Sequence, residues 1–304
     1  MSWHGQILPY EDRDDWLAQR RAGIGASDVA GILGVSPYAS PFSVWADKVH
    51  GSEAEPSEAM AWGSKLEGLI LDEFTERTGL YIAGQQTLVA HPKFEWARAT
   101  VDGLVYESDL PGGSPLGVAE AKSDGSFGRW HTIPDHHQTQ IQWQLFVTGL
   151  DSGWLAVLHG RRFEVYEVEA DVGLQNMMLD KVNDFRARHI TGGVRERTPP
   201  DADSHKATTR AISDLWVDKS DTIELSTSMV EDVYRLRELK QRSKVLTAEM
   251  VEVSNRIKVS MQSASVGTIN GEKAVTWTSY RRGEYTVEAT DIRPLKLATP
   301  KEDT

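Results

Sequence analysis

Residues 117–124 read GVAEAKSD, a glutamate and a lysine two positions apart in a run that is otherwise mostly small or apolar. In a strand, Val118, Glu120 and Lys122 share one face, and Ala119, Ala121 and Ser123 the other. A charge on the Val118 side needs a partner, a metal or a chemical role if that side is buried. Two readings stand for these eight residues: a mutually satisfied ion pair on a strand, or part of a reactive site.

Other acids decide how far the second reading extends. Asp102 lies in TVDGL at the end of an expected strand, directly before a glycine, and Glu67 lies beside an apolar helical stripe in WGSKLEGLI. Hydrolysis of a phosphodiester by a metal-dependent site needs hard oxygen ligands and a cation that orients water or meets developing charge. Adjacent strands would bring Asp102 and Glu120 to one metal, with Lys122 on the same side and Glu67 completing the set from a helix. The plainer alternatives are a turn aspartate, a helix-boundary glutamate and a lysine that only neutralises Glu120.

A second cluster is polar but not acidic. In RRAGIGASD, Arg20 offers a planar fork of donors, Ser27 a hydroxyl, and the glycines exposed backbone N–H groups, which together suit a phosphate. Equally, Ser27 caps a helix, with Asp28 in its first turn and Arg20 in solvent. The spacing matches neither a nucleotide-hydrolysing phosphate loop nor a dinucleotide fingerprint. His136 and His137 are adjacent in HHQ; neighbouring helical positions diverge by about 100°, so one zinc ion held by both is not expected. His159, Arg161 and Arg162, in HGRR, are read as a turn that is solvated or touches a phosphate backbone.

The elements that must carry these groups follow from periodicity. Helices are expected over 11–22, just after Ser27, from Pro41 onward with Phe42, Val44, Trp45 and Val49, and over 61–78 with Leu66, Leu69, Ile70 and Phe74 inward, ending at Gly79. Strands are expected in LYIAGQQTLVAH, WARATVDGLVY and GVAEAKS, the last two separated by a turn at 111–113. A helix over 133–149 carries Ile141, Leu145 and Phe146; strands at 154–158 and 163–168 form a hairpin; and a helix over 171–190 buries Leu174, Met178, Val182 and Phe185. TPPDAD (198–203) reads as a boundary or surface crossing. The order of elements predicts an α/β fold with a mixed central sheet and helices on both faces. Beyond it, Ser228 and Glu231 have capping-box spacing, and a helix of about 35 residues follows, repeating apolar residues at alternating spacings of 3 and 4. Strands KAVTWTSY and YTVEATDI, joined at RRGE, are expected to close the chain as a β-hairpin.

Bulk composition narrows the classes. The 304 residues contain no cysteine, so thiolate chemistry, disulfides and cysteine-ligated metals are excluded. No apolar run is long enough for a membrane span and the first residues lack a secretory pattern, so a cytoplasmic location is expected. The net charge of −12 disfavours nucleic-acid binding over the whole surface but leaves room for a local basic track.

Four pieces in order, RRAGIGASDVAGILGVSPYASPFSVWADKVHG, WGSKLEG, VDG followed by EAKS, and QTQIQWQLFVTG, carry a family resemblance across residues 15–190. The chain resembles the YqaJ-type viral recombinases, lambda-exonuclease-like members of the PD-(D/E)XK nuclease superfamily; here a valine precedes the strand aspartate where that pattern often has proline. The resemblance implies a restriction-endonuclease-like core over 1–200 and a C-terminal extension over 201–304 for oligomerisation or DNA contact. It implies a 5′-to-3′ exonuclease on double-stranded DNA ends, leaving 3′ single-stranded tails for phage-type recombination, with Mg2+ as cofactor and Mn2+ able to substitute. Asp102, Glu120, the Ala121 carbonyl and Glu67 are then metal ligands; Glu67, Asp102, Glu120, Lys122 and Gln140 are catalytic; Arg20, Ser27 and Gln142 bind substrate. A ring-shaped homotrimer, a single-strand annealing partner, no membrane and a phage or prophage origin in a bacterial host complete that expectation. Kept open beside it are a single-strand-specific nuclease or endonuclease of the same fold, and a non-catalytic DNA-binding scaffold.

Overall fold

Local capping sets where the first helices begin. After a two-residue strand β1 (Gln6–Ile7), α1 (Arg13–Arg21) starts where the Asp12 carboxylate accepts the Asp15 N–H. Helix α2 (Ala26–Ile32) starts at Gly25, not at Ser27: Asp28 accepts the Gly25 N–H at 2.7 Å, and Ser27 lies inside the first turn with its side chain exposed. Ser40 caps α3 (Pro41–His50), and Pro41 fills the first helical position, where no N–H is needed. Helix α4 (Glu58–Thr78) ends on Gly79 at φ 73°, a left-handed cap that glycine accepts without strain. Ile70, Leu71 and Phe74 are its buried face, whereas Leu69, expected inward, is exposed. The computed structural model describes residues 3–51, 57–109, 113–125, 128–192, 197–283 and 293–298.

The two expected β-runs each split. They give β2 (Tyr81–Ala83) and β3 (Thr87–Ala90), then β4 (Arg98–Val101) and β5 (Gly103–Tyr106), with Asp102 at the break between the last two. Then follow β6 (Gly117–Asp124), α5 (Asp135–Thr148), β7 (Ser152–His159), β8 (Arg162–Glu169) and α6 (Val172–His189). The turn expected at 111–113 lies, apart from Gly113, outside the described residues.

A five-stranded sheet is ordered β2-β5-β6-β7-β8 and is antiparallel throughout except for the parallel pair β6–β7. That parallel pair requires a crossover, and α5 provides it. On one face Val118, Leu155 and Val157 pack with Ile141 and Leu145 of α5; on the other Ala119, Trp154 and Ala156 pack with Ile70, Leu71 and Phe74 of α4. The sheet is thus mixed and covered by helices on both sides. A second, three-stranded sheet, β1-β3-β4, packs through Val89, Ala97 and Ala99 into a cluster with Val29, Trp143, Met178 and Val182. Across the breaks, β2 pairs with β5 and β3 with β4, so each run contributes one strand to each sheet.

One further helix, α7 (Lys206–Leu215), was not expected; its Ala211, Ile212 and Leu215 pack against Phe42, Trp45 and Phe185, so the first compact unit runs to Val217. The second unit, Asp218–Thr304, contains α8 (Met229–Met261) and the hairpin β9 (Val266–Ile269)–β10 (Glu272–Thr276). Helix α8 matches the long helix in extent and buries none of its residues, but the Ser228 side chain makes no cap and pairs with Ser226. The hairpin turns one strand earlier than expected, at Asn270-Gly271, both with positive φ, the pair that a tight two-residue turn favours. The strand expected at 285–292 lies outside the described residues.

Candidate active site

The acids meet because of strand register. Gly103 pairs with Ala119 across the antiparallel β5–β6 ladder, which sets Asp102 opposite Glu120. The glycine after Asp102 is required by a close approach: a Cβ at Gly103 would lie 2.5 Å from the Ile82 side chain on β2. The Ala121 N–H donates to Asp102 Oδ2 at 2.9 Å, which ties the break in one strand to the next.

Glu120 faces α5, where it is 2% exposed. Its Oε1 accepts from Lys122 Nζ and from Gln140 Nε2, and its Oε2 accepts from Gln144 Nε2 at 2.6 Å. Gln140 and Gln144 stand one helical turn apart on one face of α5, so both amides reach the same carboxylate. Gln144 was missed in the sequence, although its i, i+4 relation to Gln140 was readable. Gln142, two positions from each, points elsewhere: it donates to the Glu169 carbonyl and accepts from the Asp171 N–H and Gln175, so it does not join this cluster.

Glu67 is half-buried and reaches Asp102 through a residue that sequence reasoning also missed. Gln86 Nε2 donates to Glu67 Oε1 at 2.6 Å and to Asp102 Oδ1 at 3.2 Å. Gln86 has a φ of 54°, an uncommon left-handed conformation for a non-glycine residue, in the turn between β2 and β3. Its carbonyl accepts the Tyr10 hydroxyl at 2.7 Å, which helps hold that turn.

The electrostatics follow from three carboxylates around one ammonium. Burial, then repulsion from Glu120, pushes the Asp102 carboxyl well above the usual carboxylate range, against the opposing pull of Lys122 and the Ala121 N–H. Burial alone would lower the Lys122 ammonium, but attraction to Glu120 and Asp102 outweighs it and raises it, so the lysine is held protonated. His137 is driven to about 3 by burial, then by Lys122 and His136, and is neutral.

Among the described residues no three His, Cys, Asp or Glu side chains stand together as a metal-binding group. The hydrogen bonds explain this: Gln86 lies between Glu67 and Asp102, while Lys122 and two glutamines engage Glu120. The donor chemistry nevertheless fits a hard divalent cation. It consists of carboxylate oxygens on facing strand positions, and Lys122 leaves part of their negative charge uncompensated.

Arg20 and Ser27 pair with each other. Arg20 Nη2 donates to Ser27 Oγ at 2.9 Å, and the guanidinium lies over the Trp16 ring. A cleft of about 170 Å3 is lined by Arg20, Ser27, Arg98, Gln86, Asp102 and Gln140, among others. The cleft therefore joins the arginine–serine pair to Asp102. Arg98, a second guanidinium on its wall, was not singled out in the sequence; it donates to the Gln19 carbonyl, and burial lowers its proton affinity.

A buried ion pair supports the arginine end. The Lys48 side chain is 1% exposed, and its Nζ contacts Asp28 Oδ2 at 2.6 Å and the Arg20 carbonyl at 3.2 Å, with Asp47 4.0 Å away. Burial raises the Asp28 carboxyl, but attraction to Lys48 and Arg20 and the bonds from Lys48 and Gly25 leave it below 3.8. A depressed carboxylate contributes stability above its unfolded pKa and loses it as pH falls through the folded value. Asp28→Asn is therefore expected to cost about 3 kcal/mol near neutral pH, the low end for breaking a buried pair because Lys48 retains other partners. Paired denaturant titrations should show this gap closing below the 3.8 of an unperturbed carboxyl. A gap that is constant down to acid pH contradicts the assignment.

The hairpin after β7 differs from the sequence reading. His159 is buried, 3.1 Å from Asp124 and 3.2 Å from the Tyr166 hydroxyl, so it cannot touch a phosphate backbone. Register places it at the inner end of β7, paired with Arg162, while Arg161 and Arg162 are exposed. His136 and His137 have ring centroids 4.0 Å apart, and His137 stacks on Trp130.

Residues 15–151 match the family described as the YqaJ-like viral recombinase domain. The chain is 28% identical over 274 residues to the uncharacterized protein YqaJ of Bacillus subtilis (strain 168), across 86% of this chain and 82% of that one. Among solved structures, it overlays on an alkaline exonuclease (LHK-Exo) from Laribacter hongkongensis with 22% identity and a TM-score of 0.46, covering 58% of this chain and 91% of that one. A phage related exonuclease from Haemophilus somnus overlays with 11% identity and a TM-score of 0.41, covering 66% of this chain and all of the other (100%). No helix among the described residues is long and apolar enough to cross a membrane.

Proposed function

We propose that this chain, which carries a YqaJ-like viral recombinase domain, is a divalent-metal-dependent exonuclease that degrades double-stranded DNA from the 5′ end and leaves 3′ single-stranded tails. The observation that carries the reading is one cleft lined by Arg20 and Ser27 together with Asp102 and Gln140. A cationic, hydroxyl-bearing wall suits a terminal phosphate, and an acidic wall suits the scissile one.

In this reading Asp102, Glu120, the Ala121 carbonyl and Glu67 hold Mg2+, or Mn2+ in its place. The metal supplies positive charge against the scissile phosphate and lowers the proton affinity of water. Lys122, kept protonated by its acidic neighbours, orients the attacking water and meets the developing phosphoryl charge. Gln140 and Gln144 fix the Glu120 carboxylate from α5, so that its direction does not depend on Lys122 alone. Arg20 and Ser27 hold the 5′-phosphate and so set how far the first scissile bond lies from the end.

Incubation of the purified chain with linear and circular duplexes, in Mg2+ and in chelator, tests the activity. Loss of the linear duplex only, and only with metal, is expected. Attack on the circle favours the endonuclease alternative, and intact DNA in every condition favours the non-catalytic scaffold. A homo-oligomer, in the ring-trimer form that the resemblance implies, belongs to the same proposal, as does a single-strand annealing partner for the product. Solution mass across a dilution series should exceed that of one chain; a monomer at every concentration removes the ring.

A further inference from the structure

Helix α5 carries a row of polar side chains one turn apart, and its first member has no part in the site described above. Gln144 and Gln140 bind Glu120, and His136 stands one further turn toward the helix start on the same face. The His136 imidazole meets the Tyr38 ring edge-on, centroids 5.9 Å apart at 78°. Tyr38 is 80% exposed, so most of its ring faces solvent.

An exposed aromatic alone is ordinary, but this one is held. The Ser36 hydroxyl accepts the N–H groups of Tyr38 and Ala39 at 3.1 Å each, and the Ser36 N–H donates to the Ala30 carbonyl at 3.1 Å. The Ser36 carbonyl is bound in turn by His205 at 3.2 Å. Behind His136 the rings continue inward through His137 and Trp130 to Tyr166, with Trp130 stacked between His137 at 4.9 Å and Tyr166 at 5.5 Å. A rigid loop and a ring-backed helix start therefore present Tyr38 beside the acidic end of the site.

We infer that Tyr38, braced by His136, is a stacking shelf for an unpaired nucleobase of the DNA strand that enters the site. The inference rests on the proposed function. A planar ring in a fixed position suits a base, whose faces stack without regard to sequence at about 1–3 kcal/mol per base. Its contact with His136, one turn from Gln140 on α5, sets the base close to the scissile phosphate. The shelf would hold a terminal nucleotide away from its complement while the phosphate is cut.

The test uses the whole protein in chelator, so that DNA is bound and not cut, with a 5′-phosphorylated duplex carrying 2-aminopurine at its 5′-terminal nucleotide. Stacking quenches this base. Wild type and Tyr38→Phe should quench it on binding; Tyr38→Leu, which keeps apolar bulk without a π face, should lose the quench and bind about tenfold more weakly. His136→Ala should lose part of the quench. Tyr38 is exposed, so the variants fold, and unchanged melting checks this. If Tyr38→Leu binds and quenches like wild type, the shelf is overturned and the nuclease reading stands. If wild type binds no duplex in chelator or with Ca2+ in its place, both are overturned.

Discussion

Lys122→Ala is expected to lower metal-dependent digestion of linear duplex at least about 100- to 1000-fold, the effect of removing a group aimed at developing charge in a water-poor site. The lysine is the cation that faces all three carboxylates, Glu120, Asp102 and Glu67. Its loss also leaves Glu120 buried with less compensation, so stability must be measured beside rate. Gln140 and Gln144 still donate to Glu120 in the variant, which preserves the packing of α5 on the sheet. Lys122→Arg should not restore activity, because a guanidinium is bulkier than the ammonium that fits beside Glu120. Glu120→Gln, nearly equal in shape, should lose activity to the same degree. Either Lys122→Ala or Glu120→Gln retaining a tenth of the wild-type rate removes these residues from the chemistry.

Arg20→Ala is expected to abolish a preference for 5′-phosphorylated over 5′-hydroxyl ends. Hydrogen bonds to charged groups contribute about 1.5–3 kcal/mol, so the wild-type preference should be about 10- to 100-fold. The variant should cut both substrates at the slower rate, since Glu120 is held by Lys122, Gln140 and Gln144 and not by Arg20. Arg98 lines the same cleft, and its change to Ala should lower the preference less because its guanidinium already binds the Gln19 carbonyl. Equal wild-type rates on the two ends contradict the phosphate pocket.

The acidic centre was legible because its geometry is that of a strand. A period of two fixed Glu120 and Lys122 on one face, and the connection from 103 to 117 implied that Asp102 would meet Glu120. Gln86 was not legible, since its role depends on a left-handed backbone turn that brings it to partners 19 and 16 residues away. Gln142 was expected beside Gln140 only through the family resemblance, but a helix turns adjacent-but-one residues nearly to opposite sides, and the i, i+4 partner Gln144 reaches the carboxylate instead. Ser27 looked like a cap because serine favours that position, yet Gly25 takes it and frees the Ser27 hydroxyl for Arg20. His159 was read as a turn residue from its polar neighbours; the β7–β8 register carries it inward. The C-terminal hairpin was expected, but its Asn-Gly turn signal was passed over in favour of a later one. Helix α7 is short and rich in threonine and serine, so its apolar edge is visible only once α3 is there to receive it.

The most direct measurement follows the two ends of one linear, 5′-phosphorylated duplex during digestion in Mg2+, with a label at the 5′ or the 3′ terminus of the same strand. The 5′ label should leave first as a mononucleotide, the 3′-labelled strand should shorten progressively, and the complementary 3′ tails should persist. Release of the 3′ label first, or 5′-labelled fragments longer than a mononucleotide before any labelled mononucleotide, would contradict the proposed exonuclease.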